Sequence, residues 1–183
     1  MKQSQKKRNP FVRVLKVIGI CLGVILLLAV GMLGFLTASE YRPAELETVA
    51  ADGTANKTLS IGDSVTLMTW NIGYGALDEN SDFFLDGGTM VRAADAQTVL
   101  SNMQGIGEEI ASVQPDILLV QEADRDSSRS CRVNEYAYLE EQLQNFSSVF
   151  ANNYKVSYVP YPLPTTLGKI DAGIATFSAY PIE

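Results

Sequence analysis

The succession of apolar and polar positions divides the chain into an apolar segment, a polar connection and a region of mixed pattern. Residues 17–38 form a stretch of 22 residues without a charge. A helix of this length extends over about 33 Å, which is enough to cross a hydrocarbon core of about 30 Å. Residues 39–61 combine small, acidic and polar residues without periodicity, which predicts a linker.

Four segments after the linker have the pattern of β-strands. Residues 64–70 alternate between apolar and polar side chains, as in a half-buried strand. Residues 117–121 are continuously apolar up to Gln121, which is typical of a strand buried on both faces. Segments rich in β-branched and aromatic residues predict two further strands, at 154–159 and 173–178.

Two segments between these strands predict helices. Apolar residues spaced three and four apart between residues 99 and 113 define one face of a helix. Residues 135–146 predict a second helix, and the Gly- and Asp-rich residues 72–94 predict a long loop. The order strand, helix, strand, helix, strand, strand indicates a mixed α/β domain over residues 62–183.

The charges on either side of the apolar segment predict its orientation. Residues 1–16 contain six of the 14 basic residues and no acidic residue, so this basic tail is expected in the cytoplasm. We therefore expect a single-pass anchor in the cell membrane through residues 17–38, followed by an extracytoplasmic domain. A cleaved signal peptide is the alternative, although its apolar region usually has only about 7–15 residues.

The charge of the remaining chain limits its partners. Residues 39–183 contain eight basic residues and all 21 acidic residues. A domain this acidic repels a phosphate backbone at long range, so non-specific binding of nucleic acid is possible but disfavoured.

The absence of histidine limits the chemistry of the chain. Without a single His, the chain cannot hold a Ser-His-Asp triad, a Cys-His pair, an H-E-x-x-H zinc site or any imidazole acid or base. Catalysis would require carboxylates, amides, hydroxyls, Lys, Arg or a metal ion with oxygen ligands.

Two predicted strands end in residues that carry oxygen atoms. Asn71 follows the first strand, and Glu122 follows the strand at residues 117–121. If the strands are neighbours in one sheet, an amide and a carboxylate meet at its edge, and such oxygen ligands suit Mg²⁺. Both residue types are also common in turns, so the pattern by itself leaves a structural role open.

Three stretches resemble the endonuclease/exonuclease/phosphatase superfamily, whose type fold is that of deoxyribonuclease I. They are residues 66–73 (TLMTWNIG), 114–122 (QPDILLVQE) and 173–182 (GIATFSAYPI), in the order in which that superfamily has its first three motif blocks. The resemblance implies an α/β (α+β) fold, of which this chain would form the first part of a four-layer α/β/β/α sandwich. It also implies hydrolysis of phosphate esters with Mg²⁺ (or Mn²⁺).

The resemblance also implies roles for individual residues. Glu122 matches the metal-binding Glu of the superfamily, and Asn71 matches the Asn that helps to position metal and phosphate. Asp124, Arg125 and Asp126 would border the site, where Arg125 is either a phosphate contact or a solvated loop charge. The superfamily includes enzymes for nucleic acids, phosphoinositides, sphingomyelin and small phosphate esters, so the substrate stays open.

The chain departs from the superfamily after its third block. It contains neither the Gly-Asp-x-Asn segment nor the Ser-Asp-His segment, which supply the residues that act on the nucleophilic water and the general acid/base. We therefore expect an incomplete domain at residues 62–183 that is truncated and inactive as this chain. The alternative is a non-catalytic, membrane-anchored binding module that retains a partial site, while catalysis by Asn71 and Glu122 alone is disfavoured.

Overall fold

The computed structural model describes residues 10–183 of the chain, so residues 1–9 of the expected cytoplasmic tail lie outside the described residues. The chain divides into two compact units, Met1–Glu40 and Tyr41–Glu183.

The first unit contains one long helix, α1 (Pro10–Ala38), which begins seven residues before the predicted apolar segment. Residues 10–16 continue the helix because the two basic residues among them, Arg13 and Lys16, are good helix formers. Within residues 10–183, α1 is the one helix that is long and apolar enough to cross a membrane, with a mean hydropathy of 2.8 over its most apolar 18 residues. A signal sequence near an N-terminus has the same properties, so the helix alone leaves that alternative in place.

The second unit is a mixed α/β domain around one five-stranded sheet. Its strands are β1 (Asp52–Gly53), β2 (Leu67–Asn71), β3 (Ile117–Asp124), β4 (Ser147–Val159) and β5 (Gly168–Ser178). The order across the sheet is β1-β4-β5-β3-β2, in which β2 and β3 are parallel and all other pairs are antiparallel. The fold class predicted from the sequence is therefore confirmed.

Two helices connect the strands and cover one face of the sheet. The parallel pair β2 and β3 requires a crossover, which α2 (Ala96–Val113) provides. Asp95 caps α2, because its carboxylate accepts a hydrogen bond from the backbone N–H of Thr98 at 2.8 Å. The shorter helix α3 (Glu135–Gln142) follows β3.

The hydrophobic core lies between this face of the sheet and the helices. Leu118 and Val120 of β3 and Phe177 of β5 point into it and are fully buried. The residues that alternate with them face the other side, where Leu67 is 58% exposed and Ile174 is 48% exposed. A two-sheet sandwich would place its second sheet on this face, and residues 10–183 form one sheet only.

Several predicted boundaries were wrong by a few residues or more. The strand predicted at 154–159 begins at Ser147 in the structure. Its first part was not predicted because Ser147 and Ser148 are polar residues typical of loops, although both are buried here. The strand predicted at 173–178 begins at Gly168, inside the segment expected to be a Pro-rich loop. The helix predicted at 135–146 ends at Gln142.

The predicted linker is not free of regular structure. Its residues Asp52 and Gly53 form β1 and pair with Ser148 and Ser147 at the edge of the sheet. The backbone N–H of Lys57 also donates to the carbonyl oxygen of Ala179 at 3.2 Å. This part of the linker therefore belongs to the folded domain.

Candidate functional site

The structure brings Asn71 and Glu122 together at the carboxyl ends of two parallel strands. Asn71 is the last residue of β2 and lies opposite Gln121 of β3. Its side-chain amide, Nδ2, donates a hydrogen bond of 2.9 Å to Oε1 of Glu122. The two strands are neighbours, as the sequence analysis required for such a meeting.

A β-bulge determines the direction of the Glu122 side chain. The pairing between β3 and β5 shifts between Val120 and Ala123, and Glu122 within this bulge has a φ of 55°. Left-handed backbone is uncommon for residues other than Gly and costs about 1–3 kcal/mol. Bulges of this kind turn a side chain away from the regular alternation of the strand, and they are frequent beside active sites.

A left-handed turn determines the orientation of Asn71. The backbone N–H of Gly73 donates to Oδ1 of Asn71 at 2.9 Å, so the NH₂ group of the amide faces Glu122. Gly73, Tyr74 and Gly75 follow with φ values of 54°, 45° and 58°. Two of these three positions are glycines, for which positive φ carries no steric penalty.

A cleft of about 530 Å³ opens beside this pair. Trp70, Asn71 and Glu122 line it together with Ser101 and Asp78, which come from α2 and from the loop after β2. The second carboxylate oxygen of Glu122, Oε2, accepts no hydrogen bond from residues 10–183. This oxygen is therefore available to a ligand in the cleft.

A cluster of buried charges lies beneath the pair. The side chain of Asp124 is fully buried and accepts two bonds from Arg129, from Nε at 3.1 Å and from Nη2 at 3.0 Å. Glu135, also fully buried, accepts the backbone N–H of Asp124 at 2.7 Å through Oε2. The guanidinium of Arg129 lies 3.9 Å from the centre of the Tyr74 ring.

Burial dominates the protonation of this cluster. It raises the pKa of Glu135 well above the ordinary value, and the charge of nearby Asp124 adds to this effect. Burial also raises the pKa of Asp124, but the bond and the charge of Arg129 oppose it. Since only Asp124 has a paired cation, burial raises the pKa of Glu135 further, and a proton in this cluster favours Glu135 over Asp124.

The two other members of the cluster are also affected. Burial raises the pKa of Tyr74 to about 12, although the charge of Arg129 acts in the opposite direction. Burial would lower the pKa of Arg129, but its hydrogen bond with Asp124 and the charge of that carboxylate raise it above the ordinary value. Arg129 is therefore a permanent cation, and Tyr74 stays a neutral phenol at physiological pH.

A comparison with known families decides the relationship of the chain. Residues 68–183, well over half of the chain, match the model of the Endonuclease/Exonuclease/phosphatase family. The chain belongs to this family. Neither the curated proteins nor the solved structures contain a match to it. The resemblance recognised from the sequence is confirmed, and it extends across β2, β3, β4 and β5.

The donor atoms at the site of this family member fit one kind of metal binding. Residues 10–183 contain no group of three or more His, Cys, Asp or Glu side chains that could enclose a metal ion. Mg²⁺ commonly binds to one or two carboxylates and retains water molecules, to which substrate phosphate oxygens are added. Glu122 offers a suitable oxygen for such a hydrated ion, whereas Oδ1 of Asn71 already accepts the N–H of Gly73.

The residues expected to border the site have different surroundings. Asp124 is fully buried and is not among the residues that line the cleft, so it does not border the cleft as expected. Arg125 is exposed, and its guanidinium lies 4.9 Å from the centre of the Phe150 ring. Asp126 forms ion pairs with Lys169 and with Arg132, which lower the pKa of its carboxyl group.

The buried cluster of Asp124, Arg129, Glu135 and Tyr74 was not predicted from the sequence. The prediction that β3 ends at Gln121 made the following charges appear to be a solvated loop, but β3 continues to Asp124. One signal was available: Asn134 is a favourable helix cap, and it places Glu135 in the first turn of α3. No residue pattern in the sequence predicts that the carboxyl group of Glu135 is buried in the core.

Proposed function

We propose that this chain belongs to the metal-dependent phosphoester hydrolases of its family, with Glu122 as the ligand of Mg²⁺ or Mn²⁺ and Asn71 beside it. The observation that supports this most directly is the oriented carboxylate in the cleft. Asn71 holds one oxygen of Glu122, and the other oxygen accepts no hydrogen bond from residues 10–183. The substrate would enter the cleft that Trp70, Ser101 and Asp78 also line.

The roles of the protein groups follow from their contacts. A bound divalent ion supplies charge that polarises a phosphoryl oxygen and stabilises the leaving oxygen. Glu122 would hold the ion, Asn71 would prevent rotation of the Glu122 carboxylate, and the N–H of Gly73 would prevent rotation of the Asn71 amide. The 183 residues contain no His, and we assign the acid/base step to none of the residues described.

Substitution of the metal ligand tests this proposal. In the full chain in detergent micelles, Glu122→Gln is expected to abolish binding of Mn²⁺, because Gln removes the negative charge of the side chain but keeps its size and shape. Electron paramagnetic resonance of free Mn²⁺ measures the binding, and Mg²⁺-dependent cleavage of a chromogenic phosphodiester measures hydrolysis. Glu109→Gln, at an exposed position of α2, is the matched control.

Two results would reject the proposal. One is a wild-type chain that does not bind Mn²⁺, and the other is Glu122→Gln with wild-type affinity. A chain that binds Mn²⁺ but cleaves no phosphate ester would support the alternative of a non-catalytic binding module with a partial site. The residue content favours that alternative in one respect, since the chain has no imidazole and residues 10–183 contain no group of three or more His, Cys, Asp or Glu side chains that could enclose a metal ion.

The proposal includes a location. We propose that α1 anchors the chain in the cell membrane, with its N-terminus in the cytoplasm and the domain outside. The length and hydropathy of α1 support the anchor, and the basic residues before residue 17 support the orientation. Acidity of the domain disfavours nucleic acid among the phosphate esters that it would meet there.

A further inference from the structure

Arg129 contacts both backbone segments that carry the proposed site. Its guanidinium stacks on Tyr74, which belongs to the left-handed turn directly after Asn71. The same guanidinium binds both oxygens of Asp124, which follows Glu122 by two residues, beyond the bulge. One side chain therefore joins the end of β2 to the end of β3 from below.

The fourth member of the cluster completes the support of the bulge. The pairing of β3 with β5 resumes at Ala123 after the bulge, and at the next residue the backbone N–H of Asp124 donates to the carboxyl group of Glu135 at 2.7 Å. The bulged segment is thus held at Asp124 through both its backbone and its side chain.

A requirement for stability alone does not explain this cluster. Taking charges out of water is costly, and well-packed apolar residues of similar volume often stabilise a core as well as a buried ion pair does. The pair of hydrogen bonds between Arg129 and Asp124 fixes the orientation of the two groups, because two parallel hydrogen bonds permit only one relative orientation. The orientation that it sets here is that of the backbone around Glu122.

We propose that Arg129 is a positioning residue for the Asn71–Glu122 pair: it contacts neither side chain of the pair, but it holds the two strand ends at the separation that divalent-cation binding requires. This inference rests on the proposed metal-binding function of Glu122. It assigns a role to a residue that the sequence places in an ordinary charged loop.

Electrostatics alone makes the opposite prediction. Arg129 is a cation close enough to influence Glu122, so loss of its charge should strengthen the binding of another cation. Replacement by Lys should then change little, because the charge remains. Positioning by the guanidinium fork predicts instead that both Arg129→Met and Arg129→Lys weaken metal binding.

The only tryptophan of the chain provides the measurement. Trp70 lines the cleft beside Asn71, so bound Mn²⁺, which is paramagnetic, is expected to quench its fluorescence. Titration of the full chain in detergent micelles with Mn²⁺ alone then gives a dissociation constant for each variant. Urea unfolding of the same samples establishes that the titrated protein is folded.

The expected results separate Arg129 from its neighbour in the same loop. Arg129→Lys should raise the dissociation constant for Mn²⁺ by about tenfold or more, the usual effect of losing a group that orients a metal ligand. Arg125→Lys, at an exposed position, should leave it unchanged. Asp124→Asn serves as the second variant, because it keeps an acceptor for Arg129 but breaks the ionic fork, and it should also weaken binding.

Each result has one consequence. Wild-type chain without Mn²⁺ binding rejects the proposed function and this inference together. Wild-type chain that binds Mn²⁺, with Arg129→Lys and Asp124→Asn binding it equally or more tightly, rejects the inference alone. Failure of both variants to fold would show that the cluster serves stability, and it would also overturn the inference.

Discussion

Tyr74 carries a hydroxyl group for which the fold has no partner. The residue is 1% exposed, and its Oη atom makes no hydrogen bond within residues 10–183. The ring itself is well placed, because it packs against Phe83 and supports the guanidinium of Arg129. The aromatic ring is therefore useful at this position and the hydroxyl group is a cost.

Tyr74→Phe tests this division between ring and hydroxyl. Removal of a buried polar group without a partner is expected to raise the free energy of unfolding by about 1–3 kcal/mol. Urea unfolding of the full chain in detergent measures the difference. Tyr154→Phe, at an exposed position of β4, is the control and should change stability by less than about 0.5 kcal/mol. A Tyr74→Phe chain that is less stable than wild type would show that the hydroxyl has an unseen partner.

Glu135 makes the stability of the chain depend on pH. Because burial raises its pKa well above the ordinary value of 4.5, the folded state keeps a proton that the unfolded state releases once the pH exceeds about 4.5. The free energy of unfolding therefore falls as the pH rises from there through the folded-state pKa. Below that range both states are protonated, and the group has no effect on the pH dependence.

Glu135→Gln should remove this part of the pH dependence. The amide resembles the protonated acid, retains an oxygen for the N–H of Asp124 and cannot ionise. Its stability advantage over wild type should be smallest at acidic pH and should grow as the pH rises, in urea unfolding between about pH 4 and pH 8. Parallel curves for the two proteins would contradict the raised pKa. Glu109→Gln should follow the wild-type curve.

At the scale of elements, glycine has opposite effects on stability in α2 and in the turn after β2. Gly107 lies inside α2, and a Cβ atom there would come no closer than 3.9 Å to Gln142. Gly75 has a φ of 58°, and a Cβ atom there would lie 3.0 Å from Val99. The first glycine weakens a helix without a packing reason, whereas the second is required by the turn.

The same substitution is therefore expected to change stability in opposite directions. Gly107→Ala should raise the free energy of unfolding by about 1 kcal/mol, because alanine restricts the unfolded chain and suits a helix. Gly75→Ala should lower it by about 1–2 kcal/mol through left-handed strain, with crowding against Val99 in addition. Urea midpoints that shift in the same direction for both variants would refute this distinction.

Elements with a continuous apolar signal were predictable from the sequence, and elements with polar interiors were not. The centre of β3 and the periodic face of α2 were identified because their apolar side chains recur at the spacing of each structure. The first half of β4 was missed because Ser148 enters the core through hydrogen bonds, with the hydroxyl of Tyr136 donating to it at 2.9 Å. The pattern of apolar and polar residues does not predict a hydrogen bond of this kind.

The candidate site, like the strands and helices, was predictable from the sequence only in part. Asn71 and Glu122 were found because each follows an apolar strand and matches a family block. The bulge that directs Glu122 and the buried support from Arg129 were missed, since both depend on which strands pair and in what register. The meeting of Asn71 and Glu122 could thus be predicted from the chain, but the structure that orients the two side chains could not.

At the scale of the whole molecule, α1 allows two fates for the chain. None of its side chains is buried in the first unit, and its apolar length suits a membrane span as well as a signal sequence. The proposed anchor predicts one uncleaved polypeptide in the membrane fraction.

Epitope tags at both ends of the chain distinguish these fates. In intact spheroplasts of a bacterial expression host, the C-terminal tag should be digested by added protease while the N-terminal tag is protected. Both tags should first be present on one membrane-bound band. A cytoplasmic reporter that survives the protease shows that the spheroplasts are closed. Loss of the N-terminal tag with release of the domain would establish a cleaved signal sequence.

The strand order has a consequence for the time course of folding. Among the strands of residues 10–183, β5 comes last along the chain, yet it lies in the sheet between β3 and β4. Until residues 168–178 leave the ribosome, the parallel pair of β2 and β3 has no link to β4, and both pieces keep open hydrogen-bonding edges. The domain therefore cannot assemble its complete sheet during synthesis of the earlier strands, and closure of the sheet depends on the arrival of β5.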